Sequence, residues 1–194
     1  AWHAFEPHPS LRVILLDAYR ESVLSADLAA NESMYDMLKQ FNPNDVRGPT
    51  DWAAGLIGTN RRWLPYNGAF GGEQRAFLTQ QMQLATDKKQ RVIVASHVPI
   101  GRFSCQDICL AWDHDKVLEI LQDNRFQFEA SNGNKSRATC VLVVAGHDHD
   151  GGQSVDARGI LHKTFVSPLI CKNDQNAFAT VKLYGNRIEI NGFG

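Results

Sequence analysis

The chain has 194 residues, 43% of them apolar, with 20 Lys and Arg against 21 Asp and Glu. That length can bury one sizeable core in a single domain. The even charge balance excludes a general affinity for nucleic acid or anionic membrane, and no apolar run approaches the length of a membrane span.

Ala1 opens the chain without an initiator methionine or a signal-peptide pattern, so the sequence reads as a fragment or processed product. Its first residues read as a loop entering a sheet. Residues 11–17 predict a buried strand. Residues 31–41 have helical spacing, with Met34, Met37, Leu38 and Phe41 on one face, and Asn42-Pro43-Asn44 stops the helix. A long loop over 42–71 carries Gly48-Pro49, Asn67-Gly68, Trp52, Trp63, Tyr66 and Phe70. Such a stretch is either functional or an ordered excursion pinned by its aromatics.

Residues 72–86 predict a helix with Phe77, Leu78, Met82 and Ala85 inward. A strand over 91–96 ends at His97. A further helix over 114–122 turns Val117, Leu118 and Leu121 to one face. Residues 124–137 are polar and predict a mobile loop. Cys140-Val141-Leu142-Val143-Val144-Ala145 is continuously apolar, as a strand covered on both faces requires. Short strands follow over 160–166, 177–184 and 187–191, the last two joined by a Gly185-Asn186 turn. The order is α/β first and antiparallel β at the end. Cys105-x-x-x-Cys109 has no zinc-ribbon spacing, and Cys140 begins an apolar run. The four cysteines therefore read as free thiols in a reducing, cytoplasmic compartment.

Two apolar strands end in histidine: Val92-Ile93-Val94-Ala95-Ser96-His97-Val98-Pro99 and Val143-Val144-Ala145-Gly146-His147-Asp148-His149-Asp150-Gly151-Gly152. In open α/β sheets, ligands bind beyond the carboxyl ends of strands. Imidazole suits zinc, manganese, iron or nickel. The glycines at 146, 151 and 152 permit positive φ, so a tight turn can aim His147 and His149 at neighbouring ions. On an ordinary strand, i and i+2 would share a face and one ion would suffice. A lone histidine after a strand is ordinarily a polar loop residue, and the paired motifs in this order carry the metal reading.

Ser96-His97-Val98-Pro99 followed by Gly146-His147-Asp148-His149 resembles the last two metal-ligand blocks of calcineurin-like metallophosphoesterases. Five further segments narrow the resemblance to the manganese-dependent ADP-ribose/CDP-alcohol diphosphatases. They are Leu15-Leu16-Asp17-Ala18-Tyr19, Tyr66-Asn67-Gly68-Ala69-Phe70, Cys109-Leu110-Ala111-Trp112, the Gly146–Gly152 block and Asn176-Ala177-Phe178. The resemblance implies the C-terminal half of an αββα sandwich, with a mixed sheet and terminal antiparallel strands, as one domain over 1–194. It implies two divalent ions, manganese first, with zinc, iron or magnesium as alternatives. By resemblance, His97 and His147 take one ion and His149 the other. The implied reaction is hydrolysis of a phosphoanhydride bond by a metal-activated water. The implied partner is a small nucleotide substrate, with the intact protein a monomer.

Two departures accompany the resemblance. The family's N-terminal Asp motif, Gly-Asp-x-x-Asp and Gly-Asn-His-Glu/Asp blocks are absent, and with them the bridging carboxylate. Leu169-Ile170-Cys171 stands where relatives are more polar and carry a glutamate. With those blocks missing, the chain alone is expected to be a poor catalyst. Its strands over 11–17 and from Cys140 are expected to lack neighbours and expose an apolar edge.

Cys109 and Trp112 follow the His97 strand and are candidates for the nucleoside pocket, Trp112 by stacking; a buried hydrophobic plug is the competing reading. Asn67 and Phe70 are candidates to border the same pocket. No basic partner lies beside Cys109 in sequence, which argues against a nucleophile. Asp148 reads as a turn residue bonding its own backbone, Asp150 as either that or a partner of the metal histidines. His162 reads as a structural histidine, and His3, His8 and His114 as surface residues. The rival functions are another superfamily phosphomonoesterase or phosphodiesterase, and a non-catalytic fragment or pseudoenzyme.

Overall fold

The computed structural model describes residues 1–129, 137–172, 177–184 and 187–193. Among them the elements run β1 (His3–His8), β2 (Leu11–Leu15), α1 (Leu28–Lys39), α2 (Gly71–Asp87), β3 (Arg91–Ala95), α3 (His114–Leu121), β4 (Gln127–Phe128), β5 (Arg137–Ala138), β6 (Cys140–Ala145), β7 (Gly152–Val155), β8 (Leu161–Thr164), β9 (Phe178–Leu183) and β10 (Ile188–Phe193). Three short 3-10 turns cover Gly58–Arg62, Asp107–Cys109 and Pro168–Ile170.

The main sheet has the order β1-β2-β3-β6-β8-β7. β2, β3, β6 and β8 are parallel, and β1 and β7 close the edges antiparallel. The apolar runs of β3 and β6 occupy the centre, as strands buried on both faces do. α2 and α3 cover the sheet: Leu78, Met82 and Ala85 meet Val117, Leu121, Val92, Val94 and Val143 in one core. β9 pairs only with β10 among the described residues.

The expected bare edge at residues 11–17 is not present, because β1 pairs along β2 with His3 opposite Leu15. Sequence reading missed β1 because its outward side chains are almost all exposed and it carries no apolar alternation. The strand from Cys140 likewise has neighbours on both sides, β3 and β8. Arg12 is buried within β2, where its guanidinium is satisfied by Gln90, Gln81 and Glu6. β7 was also unexpected, since Gly152-Gln153-Ser154-Val155 has little strand propensity. It forms because β8 offers an antiparallel partner.

The long loop over 42–71 is an ordered excursion. Trp63 and Val46 build a second core with Leu38 of α1 and with Trp112, and Trp52 packs against it. Asn42 anchors the loop by donating to the carbonyls of Trp52 and Trp63. Phe41 lies beyond α1 and is 47% exposed, not inward as its spacing suggested; its ring stacks on Trp63 at 3.9 Å. Asp113 accepts from the Phe70 and Gly71 amides at the start of α2 and pairs with Arg75. It thus satisfies orphan donors that no residue of α2's own N-terminus reaches. The region over 124–137 is not all loop: Phe126 is buried and β4 pairs with β5. Residues 130–136, Asn176 and the Gly185-Asn186 turn lie outside the described residues. No described helix is long and apolar enough to cross a membrane.

Candidate metal centre

The carboxyl ends of β2, β3, β6 and β8 share one edge of the sheet, and their exits are stitched together by backbone hydrogen bonds. Leu16 N–H donates to Ala95, Ser96 to Val144, Gly146 to His97, Phe165 to Ala145 and Ser167 to His149. The ladder therefore continues past the strands and fixes the backbones that carry His97 and His149. Each histidine starts from a rigid base.

His147 is placed by a turn. Its φ is +68, uncommon for a residue with a Cβ. The Asp148 amide donates to the Gly146 carbonyl at 2.8 Å, the i to i+2 bond of a γ-turn. The sequence pointed to glycine for such geometry. Gly151 does adopt positive φ, but at the head of the motif the strain falls on His147 itself, not on Gly146. Strained backbone of this kind costs on the order of 1–3 kcal/mol and gathers at functional sites.

The His97 and His147 rings meet edge to face with centroids 5.3 Å apart. Tyr19 lies against His97 at 5.7 Å and Tyr66 against His147 at 5.8 Å. His147 Nε2 is 2.7 Å from Asn67 Oδ1, and Nδ1 is 3.4 Å from the Tyr19 hydroxyl. Burial, reinforced by His97 and His149, pushes the His147 pKa down to about 4. Burial and then His149 lower His97 as well. Both rings are therefore neutral at pH 7, the form that binds metal.

His97, His147 and His149 line one crevice of about 610 Å³, together with Phe165, Val166, Pro168, Leu169 and Phe178. The three histidines thus share one crevice, and His97 and His147 are in ring contact. They do not make a complete cage: among the described residues no three His, Cys, Asp or Glu side chains group closely enough to hold an ion. The set fits a metal as a partial shell of nitrogen donors. It has no carboxylate to offset the charge of a divalent ion.

The other predicted site residues fall elsewhere. Trp112 is 1% exposed, donates Nε1–H to the Leu64 carbonyl at 3.1 Å and packs near Trp63. Phe70 is equally buried, in the main core. Neither ring offers a free face to a nucleobase, because both are consumed in packing. Cys109, Trp112, Asn67 and Phe70 do not line the crevice. Burial, with Asp148 and Asp150 nearby, pushes the Cys109 thiol up to about 12, which agrees with its reading as no nucleophile. Asn67 is fully buried and reaches the centre from behind, through His147.

Asp148 is 3% exposed and does more than bond its own turn: it also accepts from the Gln106 amide at 2.6 Å. Asp150 contacts Gln106 Nε2 at 3.3 Å. His114 was expected on the surface but is buried. His162 is the structural histidine expected, with Nε2 3.2 Å from Asp156. All four cysteines are free. Tyr19, Tyr66 and the Phe165–Leu169 wall were missed as site residues. Their signal was position: Tyr19 and Phe165 follow β2 and β8 as His97 follows β3.

No protein-family model matches the chain. It is 32% identical over 195 residues to a manganese-dependent ADP-ribose/CDP-alcohol diphosphatase of Oryza sativa subsp. japonica, covering 99% of this chain and 56% of that protein. The proteins of the same name from Danio rerio and Homo sapiens are 32% and 31% identical, with 56% and 52% of their lengths covered by 99% and 100% of this chain. A crystal structure of a dimetal phosphatase from Danio rerio superposes with a TM-score of 0.83 at 30% identity, covering 100% of this chain and 57% of that one. The chain spans about half the length of these relatives. Over nearly its whole length the chain is similar in sequence to the manganese-dependent ADP-ribose/CDP-alcohol diphosphatases, and its fold is that of a dimetal phosphatase.

Proposed function

We propose that this chain is part of a hydrolase that cleaves the phosphoanhydride bond of nucleoside diphosphate-linked compounds such as ADP-ribose or CDP-alcohols, and that it supplies His97, His147 and His149 to a two-ion centre. The observation that carries the reading is the edge-to-face pair of neutral histidines, His97 and His147, at the mouth of a crevice also lined by His149. When bound, two divalent ions, manganese first, would supply water activation and charge neutralisation at phosphorus. Carboxylate donors would come from outside this chain's ligand set, in the C-terminal-half arrangement expected above.

The chain's own residues hold and orient. His97 and His149 sit on a continued backbone ladder, so the main chain that carries them is fixed before any ligand arrives. Tyr19, whose hydroxyl burial keeps protonated, presents a donor 3.4 Å from His147 Nδ1. The nucleoside would lie along Phe165, Leu169 and Phe178 rather than against Trp112, since these residues line the same crevice as the histidines and Phe178 is 66% exposed. Aromatic faces are sequence-tolerant stacking platforms for bases. The free thiols support a cytoplasmic setting.

The test is ADP-ribose hydrolysis by the whole protein in manganese, with His97→Ala, His147→Ala and His149→Ala alongside. Activity lost by orders of magnitude in each variant is the expected result. Undiminished turnover in all three would refute the assignment. The second reading, a non-catalytic binding module, is favoured by the lack of a three-donor cage among the described residues. It predicts nucleotide binding without turnover.

A further inference from the structure

We infer that Asn67 is a positioning residue that fixes the ring tautomer of His147, so that this histidine offers Nδ1 to a metal ion. The ligating role rests on the proposed metal centre; the tautomer does not. Asn67 Nδ2 donates to the Arg62 carbonyl at 2.8 Å and to the Ile108 carbonyl at 2.7 Å. An amide nitrogen has two hydrogens, and both are spent on these carbonyls. Flipping the amide would set Oδ1 against two carbonyl oxygens, so the orientation has one solution.

Oδ1 is therefore an acceptor, and it faces His147 Nε2 at 2.7 Å. That nitrogen must carry the hydrogen, since two lone pairs at this distance repel. A neutral imidazole protonated at Nε2 has its lone pair at Nδ1. The Tyr19 hydroxyl stands 3.4 Å from Nδ1, on the donor side of such a contact. Asn67 cannot drift away. It is fully buried, its amide donates to Leu64 at 3.1 Å, and its carbonyl accepts from Ser22 Oγ at 2.8 Å. A Cβ at the neighbouring Gly68 would fall 2.1 Å from the Ala18 carbonyl, so the backbone there is packed tightly too. The second nitrogen of a metal-bound histidine is ordinarily held by an acceptor of this kind.

The experiment is a long-range proton–nitrogen correlation spectrum of the metal-free whole protein labelled with 15N-histidine, together with Mn2+ titration of the same sample. Wild type is expected to show His147 as the pure Nε2–H tautomer. Asn67→Ala should show a tautomer mixture and bind Mn2+ about 10- to 100-fold more weakly. His147 found as Nδ1–H in wild type, with Mn2+ bound, would overturn this inference alone. Nε2–H in wild type without any Mn2+ binding would overturn the metal centre and, with it, the ligating role of Nδ1. The wild-type spectrum decides the tautomer even if Asn67→Ala fails to fold.

Discussion

The Asp148 carboxylate accepts a hydrogen bond from the Gln106 amide at 2.6 Å, tying the strained His147 turn to the loop that follows β3. The bond joins the two histidine motifs, which lie some fifty residues apart in the chain, through a side chain that is almost fully buried. Asp148→Ala leaves the Gln106 amide without its partner. It should cost about 1–3 kcal/mol, read as a lower urea midpoint, and should weaken Mn2+ binding. Asp148→Asn keeps an acceptor and should cost less.

Trp112 is a structural plug, so Trp112→Ala should cost about 3–5 kcal/mol of stability. Trp112→Phe should be milder, losing chiefly the bond to Leu64. Among variants that stay folded, discrimination between ADP-ribose and CDP-alcohols should not move. Calorimetric melts with paired substrate assays separate the two effects.

The opposite pattern is expected at Phe178, which is largely exposed on the crevice wall. Phe178→Ala should leave the melting temperature nearly unchanged. It should weaken AMP binding about tenfold, in line with the roughly 1–3 kcal/mol of a base–aromatic stack, while ribose 5-phosphate is unaffected. Isothermal titration of both ligands checks this.

Acid should destabilise the fold through His114 and His162. Burial lowers the pKa of each below the ordinary histidine value. His114 faces Arg62, Arg102 and Asp115, and His162 faces Asp156. A lowered histidine pKa means that the unfolded chain binds more protons, so stability rises with pH through this range. The contribution is complete above the unfolded value near 6.5 and is lost as pH falls through the lower folded value. Urea midpoints at pH 7.5, 6 and 5 should decline in that order, and less steeply in His114→Gln.

Gly101 is held against His162, where an added Cβ would fall 2.3 Å from the ring's Cγ. The ring is buried and bonded to Asp156, so it cannot step aside. Gly101→Ala should cost about 1–3 kcal/mol by overpacking, measured as a shift in melting temperature.

The strands and helices that carry the core were legible because their apolar runs and helical spacing are strong local signals. That His97, His147 and His149 line one crevice was legible because strand ends mark the crevice of an open sheet. β1 and β7 were not, because each exists through its partner strand rather than its own composition. Trp112 misled because sequence proximity to His97 says which loop a residue is on, not which way its ring points. The ring turns inward onto Trp63, a residue 49 positions away that no local pattern connects to it. Asn67's contact with His147 spans 80 positions and was equally hidden.

Position 147 has a further consequence for anyone improving or diversifying this protein. A backbone at φ +68 favours glycine or asparagine over histidine. A screen that rewards thermal tolerance alone would therefore drift toward replacing His147 and would report success while losing the ligand proposed here. Selection for robustness and selection for the proposed chemistry would pull this one residue in opposite directions, so any stabilised library should hold it constant.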